Sequence, residues 1–269
     1  MDGIELIGYL GAALMGISLG MIGSGGSILT VPILVYLIQI EPVLATAYSL
    51  FTVGITALAG GLNFARQDLV DYQVGVVFAI PAFIAVYFTR LWIVPALPDV
   101  WFSWGNFVMT TDIGILVLFG LLMVFASVSM IRNGKQNQVE GEENEVRFNF
   151  PMIILEGAVV GVLTGLVGAG GGFLIIPALV IFARLPMKKA VGTSLFIIAI
   201  KSLIGFMGDI QAGQAIDWLF LIIFSSIAII GILVGGYLAR LVRGDALQKS
   251  FGYFVLVMGV YMILKEMFL

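Results

Sequence analysis

Residues 16–36 read GISLGMIGSGGSILTVPILVY, and residues 161–181 read GVLTGLVGAGGGFLIIPALVI. Superposed at an offset of 145, Gly16, Gly20, Gly23, Gly25, Gly26 and Pro32 fall on Gly161, Gly165, Gly168, Gly170, Gly171 and Pro177. Without a gap, Ser49, Leu50 and Phe51 then fall on Ser194, Leu195 and Phe196, which makes 13 identities over the 36 positions from 16 to 51. Apolar bias alone would not align every punctuating glycine and the proline. The chain is internally duplicated, a common construction among secondary transporters.

The composition around the repeat is that of an integral membrane protein: of 269 residues, 61% are hydrophobic and 11% charged, with a mean hydropathy of +1.13, far from the soluble average. Thirteen basic against sixteen acidic residues leave no stripe that could track a phosphate backbone, so nucleic acid is not an expected partner. The absence of Cys and His removes disulfides, thiolate nucleophiles, imidazole bases and the usual zinc, copper, haem and iron–sulfur ligands. Neither enzymatic activity nor a metal or other cofactor is expected.

Apolar runs cover roughly 4–22, 27–40, 44–62, 73–97, 112–131, 150–167, 173–185, 190–207, 216–239 and 247–268, and most approach the about 20 residues that a crossing helix needs. The runs 27–40 and 173–185, after the glycine clusters, reach only roughly 20 Å as helix, which predicts half-helices or re-entrant arms. A polar linker, 132–149, divides the chain into repeats 1–131 and 150–269. Asp2 and Glu5 stand where a signal peptide would carry positive charge, so no cleavable signal is expected.

Basic residues concentrate in cytoplasmic loops. With the linker inside, Arg66, Arg132, Lys135, Arg147, Arg184, Lys188, Lys189, Arg240, Arg243 and Lys249 are all cytoplasmic, Arg90 and Lys265 lie outside, and Lys201 lies within a helix. Each half then holds one hairpin and three crossing helices, an odd number of crossings. The expected fold is an all-α polytopic membrane protein of two inverted repeats, each a glycine-tipped re-entrant hairpin plus three transmembrane helices, with both termini extracytoplasmic.

The clusters Gly23, Ser24, Gly25, Gly26, Ser27 and Gly168, Ala169, Gly170, Gly171, Gly172 would place irregular backbone at mid-membrane. Such backbone is tolerated only where protein or a wet cavity satisfies it. Each arm would open with free N–H groups and the positive end of a helix dipole, a combination suited to a small anion. Tight helix packing is the competing explanation, and it fits the spacings Gly16 to Gly20 and Gly161 to Gly165.

The paired G-x-x-G-x-G-G-[GS]-x-[LI]-x-[VI]-P motifs, each followed by a helix containing Ser-Leu-Phe (ATAYSLF from 45, AVGTSLF from 190), resemble the sulfite exporter TauE/SafE family over nearly the whole chain. The resemblance implies a transporter of sulfite, thiosulfate or organosulfonates in the bacterial cytoplasmic membrane; spacing and dipoles by themselves imply only a small anion. Ser24 and Ser27 in the first cluster, and the segment 91–111, depart from a clean duplication.

Ser49, Thr193 and Ser194, at or beside equivalent positions after the hairpins, could hydrogen-bond an oxyanion or bond back to their own helix. Lys201, a charge inside a membrane helix, either contacts the ligand or snorkels past a helix end near Gly208, with Asp209 as a candidate partner. Glu156 fits a cytoplasmic helix end better than a proton relay, and Asn63 and Arg66 could meet an anion on the inner face. The Trp and Pro residues of 91–111 suit an interfacial belt. With no nucleotide-hydrolysing motif present, coupling would use an ion gradient, protons first. An anion channel is the alternative to a transporter, and a homodimer is compatible with the sequence.

Overall fold

In a computed structural model, residues 3–104, 107–133, 150–181, 183–239 and 244–268 are described. The first half opens with α1 (Gly3–Ile22) and a short arm made of a 3-10 helix (Ser24–Leu29), α2 (Thr30–Pro32) and a π turn (Ile33–Leu37). Then come α3 (Pro42–Ala65) and α4 (Tyr72–Phe88), the latter running through a second π turn (Thr89–Ile93) into α5 (Val94–Ala96). Strands β1 (Val100–Trp104) and β2 (Phe107–Thr110) precede α6 (Thr111–Asn133). The second half holds α7 (Phe150–Val167), the short arm α8 (Gly172–Ile181), α9 (Met187–Gln211), α10 (Trp218–Leu238) and α11 (Gly244–Phe268). Each half thus reads helix, short arm, three long helices, as hydropathy predicts. Residues 134–149, Arg240 and Arg243 lie outside the described residues.

The sequence offset of 145 carries into the backbone. Left-handed φ angles occur in pairs at that spacing: Gly23 (79°) with Gly168 (69°), Gln39 (63°) with Arg184 (49°), and Asp68 (54°) with Gly213 (85°). Both arms end alike, since Ile40 N–H donates to the Leu34 carbonyl at 3.0 Å and Leu185 N–H to the Leu179 carbonyl at 3.1 Å. That six-residue return closes a helix around a left-handed residue. The N-caps of α4 and α10 are also alike, with Asp71 accepting from Val74 N–H and Asp217 from Phe220 N–H, both at 3.0 Å, which satisfies otherwise orphaned donors.

Six helices are long and apolar enough to cross a membrane by length and composition: Pro42–Ala65, Tyr72–Ala96, Thr111–Arg132, Met187–Gln211, Trp218–Leu238 and Lys249–Phe268. Ile7–Ile22, Gly25–Leu37 and Pro151–Val167 are shorter apolar helices. The ten residues of α8 give only about 15 Å, half the hydrocarbon thickness. Large apolar side chains face outward, among them Leu219 (73% exposed), Phe125 and Val257 (both 66%), as lipid requires and water would penalise. The chain is a multi-pass, all-α membrane protein.

Packing repeats with the halves exchanged: α1 lies on α10 as α7 lies on α4, and α3 pairs with α9 as α6 pairs with α11. A methyl group on Gly16 or Gly20 would overlap the carbonyls of Ala228 or Ile232, and one on Gly161 would overlap that of Ala82, while on Gly165 it would stand 2.8 Å from Thr89. These four glycines let backbones approach, the packing role expected of their spacing. In the α3/α9 pair, Gly54 meets Leu203, Gly61 meets Leu195 and Gly205 meets Leu50, so the two equivalent helices run antiparallel. The α6/α11 pair is antiparallel too, with Gly120 on Ile263 and Gly252 on Ile131.

One element departs from the all-helical expectation. The segment after α5 forms an antiparallel hairpin of β1 and β2, because its clustered aromatic and β-branched residues favour extended pairing once Pro98 has ended helical structure. Trp101 closes it by donating to Thr111 Oγ1 at 3.0 Å and covering Gly114.

Candidate functional site

The first tip is more regular than its glycines predict. Gly23 breaks α1, but the next residues wind directly into the 3-10 helix, with Gly26 N–H reaching the Gly23 carbonyl at 3.3 Å. The two clusters share glycines at 25/170 and 26/171 and differ at the next place, where the first has Ser27 and the second Gly172, and a serine disfavours helix less than a glycine does. In the second tip, 168–171 stays irregular, Gly168 and Gly171 both take φ of 69°, and α8 begins only at Gly172. Three consecutive glycines allow that path, since a Cβ at such φ is strained.

Both tips are buried and press on equivalent partners. A Cβ on Gly23 would stand 2.7 Å from Val191 of α9, and one on Gly168 would overlap Thr46, the matching residue of α3. Gly26 packs on Leu19, and Gly171 packs on Thr164, again the matching position. The tips meet where Gly170 faces Val53 and the Ser27 hydroxyl, 3.1 Å from an added Cβ. Close packing therefore accounts for Gly23, Gly26, Gly168, Gly170 and Gly171. At Gly25 a Cβ would meet only Ile22 at 3.4 Å and Met130 at 3.7 Å. Ala169 and Gly172 are buried in the second tip, and the side chain of Ser24 lies outside the described residues.

Lys201 is drawn to the second tip. Its ammonium is fully buried, donates to Thr164 Oγ1 at 2.8 Å, and lies 3.4 Å from a Cβ placed on Gly171. It does not snorkel: α9 continues ten residues past it, to Gln211, about 15 Å of helix. Asp209 is not its partner either, because that carboxylate pairs with Arg90 at 3.3 Å. Two helical turns separate Lys201 from Asp209, too far for an ion pair along one helix. Among the described residues no carboxylate lies within ion-pair distance of Lys201. An uncompensated buried charge costs on the order of several kcal/mol, which a structural role does not repay.

Hydroxyl groups complete the surroundings unevenly. Thr46 and Val53 touch the second tip, and Ser49 falls on the same helical face between them. Its hydroxyl is fully buried with no hydrogen-bond partner. Ser194, its counterpart, donates back to the Val191 carbonyl at 2.7 Å. Thr193 serves the framework, accepting from Asp71 N–H at 2.9 Å at the start of α4, as Tyr48 accepts from Asp217 N–H at 2.7 Å at the start of α10.

Asn63 is exposed and lines a cavity of about 170 Å³ with Leu19, Gly20, Phe64, Leu195 and Ile232; Arg66 is exposed nearby in sequence. Glu156 lines a second cavity, of about 430 Å³, with residues of α6 and α8. Its inner carboxylate oxygen has no hydrogen-bond partner, so it is not a simple solvated helix end. Arg90, expected as an outer flank, is fully buried. A basic residue one turn beyond Tyr87 reads as a helix-end anchor, and nothing local reveals that Asp209 receives it.

Around the second tip, then, stand one ammonium, the Ser49 and Thr164 hydroxyls, and the positive dipole end of α8, whose Leu174 and Ile175 N–H groups already return to the Gly171 carbonyl at 2.9 and 3.0 Å. That set can replace part of the hydration shell of one small oxyanion. No group of three acidic, His or Cys residues that could hold a metal ion occurs among the described residues.

The sequence model of the family described as sulfite exporter TauE/SafE matches residues 9–263. A probable membrane transporter protein of Xylella fastidiosa (strain 9a5c) is 29% identical, covering 94% of this chain and 92% of its own. The probable membrane transporter protein YunE of Bacillus subtilis is 27% identical, over 91% and 89%. A further probable membrane transporter protein, from Haemophilus influenzae, is 25% identical over 97% and 98%. No solved structure matches the chain.

Proposed function

The chain belongs to the sulfite exporter TauE/SafE family, and on that premise we propose that it is a secondary transporter of a small sulfur-containing anion, bound at the second tip. The substrate class is sulfite, thiosulfate or an organosulfonate, moved across the bacterial cytoplasmic membrane by alternating access. The observation that carries this reading is Lys201: a buried ammonium with no carboxylate partner among the described residues, set beside Gly171 and the start of α8. An oxyanion arriving there supplies the missing charge and accepts from groups already oriented.

The antiparallel pairing of equivalent helices supports two inverted repeats, 1–131 and 150–269, joined by a cytoplasmic linker at 132–149 and rocking about the shared site. Both termini are then extracytoplasmic. With no Cys in the chain, single cysteines at 5 and 140 labelled by an impermeant reagent report those two assignments directly.

The decisive experiment uses proteoliposomes of the full-length protein loaded with sulfite, thiosulfate, taurine or sulfate. Counterflow of one or more sulfur anions, lost in Lys201→Met, is the expected result. Resolved unitary currents without counterflow would replace the transporter with an anion channel. Imposing a proton gradient on the same vesicles tests coupling to protons.

A further inference from the structure

Six described side chains carry a buried polar atom without a hydrogen-bond partner, and three of them gather at one place: Thr89, Arg90 and Asp209. Thr89 and Arg90 leave α4 on the π turn, Thr89 lies against Gly165 of α7, and Arg90 lies against Gly208 of α9. Ser202, Gly205 and Asp209 share one face of α9, and Gly205 of that face packs on Val86 of α4.

The Arg90–Asp209 ion pair is loose. Nη1 and Oδ1 are 3.3 Å apart without a hydrogen bond, and Nε, Nη2 and the second carboxylate oxygen, Oδ2, are unpartnered as well. A guanidinium has five N–H donors in a planar fork shaped for carboxylate or oxyanion. A fully buried pair that serves as a structural fastener normally closes bidentate with its remaining donors satisfied, because unpaired buried donors are costly.

The internal repeat adds an independent observation. Shifted by 145, the residues lining the Asn63 cavity (Leu19, Gly20, Gly60, Asn63, Phe64 and Ile232) correspond to Thr164, Gly165, Gly205, Gly208, Asp209 and Tyr87. The counterpart of the open cavity is therefore the ground around Arg90. Asp209 stands where the first half has Phe64, and Arg90 where the second half has Gly235. Because α3 and α9 are antiparallel, Asn63 near the end of one and Asp209 near the end of the other lie at opposite ends of the pair.

We propose that Arg90 is a second oxyanion-binding residue, at the end of the α3/α9 pair opposite the Asn63 cavity, and that its pairing with Asp209 closes this site until an anion takes the guanidinium. Thr89, the neighbour of Arg90 on the π turn, supplies a buried hydroxyl donor. An anion leaving the site lies one residue from Thr164, through Gly165, and so next to Lys201. The gating role rests on the transporter reading above; the binding site rests only on the pair and its unpartnered atoms.

The test is equilibrium binding of thiosulfate and of sulfate to the purified full-length protein, with chloride as the control. Asp209→Asn frees the fork, and the expected result is about tenfold tighter oxyanion binding. Adding Arg90→Gln should cancel that gain, and Arg90→Lys alone, which keeps the charge and the ion pair but loses the fork, should weaken binding several-fold. Both comparisons are repeated with Lys201→Met: a gain from Asp209→Asn that persists there supports this site even if the second tip proves not to bind. Unchanged affinity in Asp209→Asn, or a gain that survives Arg90→Gln, overturns the proposal and leaves the pair a fastener. Should Asp209→Asn not fold, the Arg90→Lys measurement decides alone, with unchanged oxyanion affinity as the overturning result.

Discussion

At the first tip Gly26 packs on Leu19, and the position of α3 that matches Lys201 is Thr56, whose hydroxyl returns to the Thr52 carbonyl of its own helix at 2.6 Å. At the second tip the same three places hold Gly171, Thr164 and Lys201. The first is apolar and self-satisfied; the second holds an unneutralised charge. Duplication supplied a common scaffold of kinks and close contacts, and a few side chains turned one copy into a site. The asymmetry has a physical reason. Thr56 and Lys201 lie near the level where α3 and α9 cross, since Gly54 packs on Leu203, so lysines at both positions would set two ammoniums against each other in low dielectric.

That comparison can be broken in several ways, beginning with the largest effect. Gly168→Ala combines φ of 69° with overlap on Thr46 and should destabilise by about 3 kcal/mol or more, read as loss of monodisperse protein in detergent. Gly23→Ala carries the same left-handed strain (φ of 79°) but meets the Val191 side chain at 2.7 Å where Gly168→Ala runs into the Thr46 backbone, and it should cost less; equal damage at both would mean that the tips are not differently constrained. Next, Lys201→Met should lower transport on the order of 100-fold while leaving the thermal midpoint unchanged or raised, because a buried unpaired charge is replaced by an apolar chain of similar length. A lowered midpoint would make Lys201 structural.

Thr164→Val removes the hydroxyl that holds the Lys201 ammonium and should raise half-saturation roughly tenfold, whereas Leu19→Thr at the counterpart position should leave it unaltered. Equal responses would erase the distinction between tips. The smallest effect belongs to Gly25→Ala, whose Cβ finds ordinary contacts at 3.4 and 3.7 Å: stability should change by less than about 0.5 kcal/mol with transport retained. A loss of transport in that variant with stability intact would move the ligand site toward the first tip.

Much of the fold was legible because it is written in local signals. Run length and hydropathy give the long helices and the two short arms, and matched glycines give the duplication. The β-hairpin after α5 was not legible, since aromatic and proline residues near a helix end serve an interfacial belt equally well. Lys201 is legible as a charge inside an apolar run, but Asp209, its neighbour in sequence, is not its neighbour in space, because eight residues of one helix separate them and Arg90 of another helix reaches Asp209. Arg90 carried no local sign of burial, as a basic residue after Tyr87 at the end of an apolar run has the pattern of a solvated anchor.

By itself the sequence determined a polytopic membrane protein, its two-fold internal repeat, the places where the membrane helices break, and one intramembrane lysine. Those properties depend on composition and period within a single stretch of chain. The tertiary structure alone decided that Lys201 reaches Thr164, that Arg90 meets Asp209, that the Ser49 hydroxyl is unpartnered beside the second tip, and that a cavity at one end of α3/α9 answers to an ion pair at the other. Burial and charge pairing are set by helices far apart in the chain, and only their packing brings those side chains within a few ångströms of one another.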